Sequence, residues 1–181
     1  MEIKKIIKKC LVKMGLDGVD FDQLTAEQEE TITKLVDALN VAYAEAVTAY
    51  MPLTTDEKVV SVDGVIDCAE LSKQMVHPVR LVDKNGAKHR YRIMPTLVVT
   101  DFDGEGVLTY AYAPDEYALE DSLDDIRFTA EILAEGALGV YYFALRAFDL
   151  SAVHDDNFRE AVKKMKYKGR EMVIKERRWS A

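Results

Sequence analysis

The sequence predicts an α+β fold: a predominantly helical bundle with an inserted antiparallel β-unit and an extended C-terminal tail. Three observations carry this. Apolar residues recur at helical spacing near both ends of the chain, from Ile3 to Met51 and from Ile126 to Met165. Between Glu57 and Ala113 the period becomes strand-like, with turn signals between short apolar runs. From Arg170 onward the chain is basic and too short to build a core. Residues 1–56 and 114–169 are therefore assigned to the bundle, 57–113 to the β-subdomain and 170–181 to a C-terminal docking arm. A chain of 181 residues, 49% hydrophobic and 31% charged, has enough apolar material for one core with an excursion and too much for a disordered segment.

The first helix follows from Ile3, Ile6, Ile7, Cys10, Leu11 and Met14 on one face and Lys4, Lys5, Lys8, Lys9 and Lys13 on the other, with Gly15 as its stop. Its apolar face lacks Trp or Phe and is expected to pack on the protein's own core rather than on a membrane. Thr25 and Gln28 form a capping box ahead of a long helix whose stripe runs through Ile32, Leu35, Val36, Leu39, Tyr43, Ala46, Val47 and Tyr50. Pro52 blocks its continuation.

Strands are expected at Val59–Val60, Val79–Val82, Tyr91–Ile93, Leu97–Val99 and Val107–Tyr112. Asn85-Gly86 suits the positive φ values of a tight hairpin, and Asp101 to Gly104 supplies a second turn. Helical spacing returns through Ile126, Ala130, Leu133, Ala137, Val140, Ala144 and Phe148. Gly136 and Gly139 leave room there for a neighbouring backbone, which places this helix at the centre of the bundle. A last helix is expected to start near Asp155, capped by His154 to Asn157, to bury Phe158, Ala161, Val162 and Met165, and to end at Gly169.

Catalytic and metal chemistry find little support. His77, His89 and His154 are far apart and form no pattern that sets two ring nitrogens on one helix face. Asp101, Asp103 and Glu105 alternate as calcium ligands can, but Gly104 comes too early and no Glu closes the loop, so a hairpin turn is the better account. Cys10 and Cys68 are too few for a disulfide framework or a cysteine zinc site and suit a reducing compartment. No phosphate-binding glycine loop or nucleophile elbow occurs, and nothing in the sequence activates Ser72 or Cys68. No cofactor is implied. The longest nearly uncharged stretch, Gly136 to Leu145, is half of the roughly 20 residues of a membrane span.

The formal charge of -8 is unevenly laid out. Residues 1–13 carry +4 and residues 157–181 carry +6, which leaves -18 for residues 14–156. The acidic middle disfavours nucleic-acid binding, and the basic ends suit anions or an acidic protein surface. Arg177, Arg178 and Trp179 combine fork-shaped donors with a large ring, as the energetic centres of protein interfaces do; folding back onto the subunit is the alternative. As an interface anchor, the tail is expected to become ordered on docking, with Met172, Val173 and Ile174 adding apolar surface.

The layout resembles the head-to-tail connector, or portal adaptor, proteins of tailed bacteriophages. The resemblance runs through most of the chain: the long helix ending in Tyr50-Met51-Pro52-Leu53, the β-insertion, Tyr110-Ala111-Tyr112-Ala113-Pro114 before an acidic loop, the apolar helix with Ala137 to Leu145, and the closing Arg177-Arg178-Trp179. It implies a structural, non-enzymatic virion protein of the neck, made in the host cytoplasm. It further implies a ring, commonly dodecameric, beneath the portal protein, joined to further neck or tail proteins, with DNA passing through without specific binding. On that reading Arg170, Met172, Ile174, Arg177, Arg178 and Trp179 dock on the portal. Asp115, Glu116, Glu120, Asp121, Asp124 and Asp125 are candidates to line the channel, because acidic walls let a duplex slide. The large β-insertion departs from the simplest all-helical connectors. The competing expectation is a small cytoplasmic enzyme or ligand-binding protein with a pocket between the β-unit and the helices.

Overall fold

The computed structural model describes residues 1–168. Gly169 and the whole tail, including Arg170, Met172, Ile174, Arg177, Arg178 and Trp179, lie outside the described residues.

Helix α1 (Ile3–Lys13) buries Ile3, Ile6, Ile7, Cys10 and Leu11, as its stripe requires, and the chain turns away at Gly15 with φ 78°. Helix α2 (Ala26–Glu45) starts at the expected capping box: Gln28 N donates to Thr25 Oγ1 at 3.3 Å, and Thr25 N donates to Gln28 Oε1 at 2.9 Å. The helix widens into a π-turn over Ala46–Tyr50 before Pro52 ends it.

Six strands follow: β1 (Thr54–Ser61), β2 (Val65–Asp67), β3 (Met75–Asp83), β4 (Tyr91–Ile93), β5 (Leu97–Thr100) and β6 (Gly104–Tyr112). They form two antiparallel sheets, ordered β1-β6-β3 and β2-β5-β4. This corrects the second hairpin expectation, whereas the first closes locally: Val82 bridges Lys88, Asp83 N donates to Ala87 O and His89 N to Leu81 O. The Asn85-Gly86 turn forms, with Gly86 at φ 82°, but Asn85 does not share the positive φ. Asp83 Oδ1 instead accepts from Asn85 N and Ala87 N, and the chain crosses from β3 in one sheet to β4 in the other. The second turn likewise carries β5 into β6 of the opposite sheet, with Gly104 at φ 105°. Alternation sets which side chains face inward but not which strands pair. At the base of the unit Tyr112 N donates to Leu53 O at 3.1 Å, so the chain enters and leaves at one place.

Helix α3 (Ala130–Ala144) begins where Thr129 Oγ1 accepts from Ile132 N, so Ile126 does not belong to its stripe and stands 96% exposed. The helix ends in a Schellman closure: Arg146 takes φ 59°, Arg146 N donates to Phe143 O, and Ala147 N donates to Tyr142 O. Helix α4 (Phe148–Lys168) then starts seven residues ahead of Asp155, so His154, Asp155 and Asp156 lie inside a helix and do not cap it. The expected central position of α3 holds. A Cβ on Gly136 would stand 2.9 Å from Ala42 and from the Phe158 ring, and one on Gly139 would stand 3.2 Å from Asp155 N.

The architecture is α+β, with 44% of the described residues in helix and 24% in strand, and the expectation of a predominantly helical bundle is corrected. Residues 113–129 form an irregular loop, and the strands begin at Thr54, both at the expense of helix. Each region has its own core. One gathers α1 to α4 with Leu123 and Phe128; the other gathers Val59, Ile66, Leu81, Val98, Leu108 and Tyr110. Among the described residues no helix is long and apolar enough to cross a membrane.

Candidate functional site

The two regions meet at a cleft of about 520 Å³, bordered by the end of α2, the base of β6 and the acidic loop. Arg127 organises it. Its Nε and Nη2 donate to the two carboxylate oxygens of Asp125 at 2.8 and 2.6 Å, and its Nη1 reaches Met51 O at 2.9 Å. A planar guanidinium is the side chain suited to this fork and to a carbonyl at once. Tyr43 OH donates to Asp125 Oδ2 at 3.2 Å, and the Tyr43 ring packs edge-on against Tyr117 and Phe128. Asn40 holds the loop as a strand would, its Nδ2 donating to Tyr117 O and its Oδ1 accepting from Tyr117 N. On the far wall Lys73 donates to Asp115 at 2.8 Å, with its ammonium over the Tyr112 ring.

The six acids expected to face a channel are thus spread over different duties. The Asp125 side chain is 7% exposed and bound to Arg127. Asp115 pairs with Lys73, Glu120 lies 3.8 Å from Lys4, and Asp121 accepts from Ala118 N. Glu116 and Asp124 are exposed. Asp115, Asp124 and Asp125 border the cleft, and Ile126 stands at its mouth.

The electrostatics of the cleft oppose proton transfer. Burial raises the Asp125 carboxyl, but the hydrogen bonds and charge of Arg127 outweigh it and hold the group below the usual carboxylate range. Burial and the neighbouring Asp125 charge push the Tyr43 phenol up, and burial does the same to Tyr117. Asp115 raises Lys73. All four shifts lead away from neutrality, where a general acid or base works best.

The nucleophiles that sequence left open are not activated. Burial pushes the Cys10 thiol up to about 12 and raises Cys68. Ser72 Oγ donates to Glu57 Oε2 at 2.7 Å, but Glu57 also accepts from Ser72 N and Tyr110 OH. Burial raises the Glu57 carboxyl, but these hydrogen bonds outweigh it and hold the group below the usual carboxylate range, and a carboxylate so stabilised is a poor base. The histidines sit apart. His77 is on β3; His89 Nδ1 lies 2.9 Å from Asp101 Oδ1; His154 Nδ1 lies 2.7 Å from Glu135 and stacks on Tyr142. Among the described residues no three metal-ligating side chains are grouped to hold an ion.

Sequence reasoning missed Arg127, Asn40 and Tyr43. Each acts on a residue about 75 to 80 positions away or within an irregular loop, so no local spacing marks them. No protein-family model matches the chain, and no curated protein matches it in sequence.

Proposed function

We propose that the chain is a structural subunit of a tailed-phage head-to-tail connector, a ring beneath the portal that joins capsid to tail around a DNA channel. The observation that carries this reading is a pair of exposed apolar surfaces on different parts of the chain. Phe143 (64% exposed), Leu145 and Phe148 stand in solvent at the α3–α4 turn; Ile93 (53% exposed) and Met94 do so beside β4. A closed ring needs two different complementary patches on each subunit, and exposed apolar clusters on separate parts of the chain are where such contacts form. In this reading the helices form the ring wall, and the β-unit meets further neck or tail proteins. The tail from Arg170 to Trp179 anchors on the portal, and exposed acids of the loop, Glu116 and Asp124 among them, face the DNA.

Electron microscopy of the purified chain with the portal of the same virus tests this. A ring seated on the portal is expected, and a lumen lined mainly by Lys and Arg would defeat the channel assignment. A monomer at every concentration, with and without portal, would overturn the connector itself. Deleting residues 170–181 is expected to leave the helical core folded and to abolish portal attachment, and normal attachment would remove the docking role of the tail.

The cleft favours a second reading, a binding protein for a small molecule held between Tyr112, Tyr117 and Arg127. A metabolite co-purifying with the protein, and lost in Arg127→Ala, would support it over the first.

A further inference from the structure

The cleft beside the acidic loop presents charge and apolar surface that the described residues leave uncovered. Its lining holds two cations, and both are matched, Lys73 by Asp115 and Arg127 by Asp125. The third carboxylate of the lining, Asp124, is exposed and has no ion pair among the described residues, and the same holds for Glu116 of the loop. From Ala113 to Ile126 the chain has six acids and no Lys or Arg, and the one further cation near them, Lys4, lies 3.8 Å from Glu120. Ile126 stands 96% exposed at the mouth, with Tyr112 and Tyr117 on the walls. Free carboxylates beside aromatic rings and a bare aliphatic side chain suit a guanidinium next to a large apolar ring. The volume of about 520 Å³ is that of a pocket for a drug-sized group, which a tryptophan side chain with a neighbouring arginine also is.

The path of α4 brings such a segment to the same end of the bundle. The helix runs antiparallel to α3: Ser151 Oγ donates to Gly139 O, and further along Phe158 lies against the bare face of Gly136. Arg159 Nη2 then reaches Glu45 Oε1 at 3.0 Å, at the C-terminal end of α2. From there to Lys168 the helix continues about 13 Å in the same direction. The cleft opens at that end too, where Arg127 Nη1 holds Met51 O. Beyond lies the arm 170–181, outside the described residues, with Arg170, Lys175, Arg177 and Arg178 against Glu171 and Glu176, and with Met172, Val173, Ile174 and Trp179 as apolar surface. Extended chain from Lys168 to Trp179 spans up to about 36 Å, more than the ~20 Å across two packed helices. The exposed apolar turn at Phe143, Leu145 and Phe148 lies at the far end of α4, about 30 Å back, so the arm would reach it only fully drawn out.

We propose that in the free subunit the arm folds back into this cleft of its own chain, with Trp179 against Ile126, Tyr112 and Tyr117 and with Arg177 and Arg178 against Asp124 and Glu116. The intervening residues, about eight, hold the anchor near its own cleft at an effective concentration around millimolar, far above what a second copy supplies in dilute solution. The contact stands apart from the connector reading and does not rest on it. Where a portal is present, one arm serves one site at a time, so portal docking takes Trp179 out of the cleft. Salt screens the charged part of the contact and loosens the arm.

Trp179 is the one tryptophan of the chain, so its fluorescence reads the arm alone. In the dilute full chain at low salt, its emission is expected to be blue-shifted and several-fold less open to acrylamide quenching than in denaturant. Ile126→Asp and Asp124→Lys, both at exposed positions and checked for folding by circular dichroism, are each expected to move it toward the denatured value. Val153→Asp, exposed on α4 toward the other end of the bundle, is expected to leave it unchanged. A solvent-like Trp179 in the wild type, or a shielded one indifferent to both cleft variants, would overturn the proposal. Shielding that grows with protein concentration would overturn it by giving the arm to the cleft of a second copy. Portal binding by a chain whose free Trp179 is solvent-like would overturn it and leave the connector reading intact. A shielded Trp179 that the cleft variants release, in a chain that never binds a portal, would support it and overturn the connector reading instead.

Discussion

Among the described residues the helical bundle gathers twenty-four buried hydrophobic residues in one continuous core, whereas the core of the β-unit gathers six around Leu108 and Tyr110. The bundle closes by interlocking shapes, with Phe158 and Ala42 against the bare face of Gly136. The β-unit, short of apolar mass, closes with polar clasps. Glu57 gathers Ser72 and Tyr110, Ser61 Oγ donates to Phe102 O, Asp103 accepts from Gly64 N, and His89 lies between Asp101 and Asp83 while packing on Phe102. A small core gives little margin against chain entropy, and satisfied hydrogen bonds supply specificity where packing is thin. The bundle should respond to lost volume, and the β-unit to lost hydrogen bonds and to pH.

The largest expected effect is in the bundle. Leu133→Ala should destabilise it by about 2 to 5 kcal/mol in urea unfolding, and hydrogen exchange should accelerate across α1 to α3 before it does in β6. Equal loss of protection in both regions would erase the distinction. Next comes the junction. Arg127→Ala strips Asp125 of its fork and should cost about 2 kcal/mol, with the two regions then melting at separate temperatures in calorimetry. Within the β-unit, Glu57→Ala leaves the Tyr110 hydroxyl without its acceptor and should cost about 1 to 2 kcal/mol, seen as faster exchange in β1 and β6 but not in α3. Thr25→Ala removes the α2 cap for about 1 kcal/mol, read as fraying of the first turn in amide chemical shifts.

The smallest effect is that of pH, and it should be confined to the β-unit. The hydrogen bond to Asp101 raises the His89 pKa, burial opposes it, and Asp83 adds to the rise. A raised histidine gives stability that is full below its ordinary value near ~6.5 and is lost as pH rises through the folded value. Asp83, held down by the Ala87 amide, and Asp101, held down by His89, contribute above the ordinary carboxylate range and lose that contribution on acidification. The clasp is therefore tightest between those limits. Exchange in β4 and β5 should speed up as pH rises above the ordinary histidine range, beyond the intrinsic base catalysis, α2 should serve as the unchanged reference, and His89→Gln should abolish the excess.

The same division decided what could be read in advance. Helices α1 and α2 were legible because their stripes and the Thr25–Gln28 box are local, and the close approach at Gly136 and Gly139 followed from residue size. The break at Arg146 was not legible, since no glycine or proline marks it and the apolar run continues through Phe148. Strand β2 is three residues long and carries no alternation. The sheet exchange at Asp83 and Asp101 depends on partners tens of residues away. At the junction the acidic loop was visible as composition, but the use of Asp125 to bind Arg127 and Tyr43 rests on contacts made only once the chain has folded.

The hydrogen bond from Tyr112 N to Leu53 O brings the two ends of the inserted segment together at the foot of the bundle. A segment whose ends already touch can be removed or exchanged without altering the path of the helices on either side. Inheritance can then treat residues 54–112 as a cassette, with relatives sharing the helical frame while carrying a different insert, or a bare turn, at this point. A chain in which a short glycine-containing turn replaces the cassette should still fold its four helices.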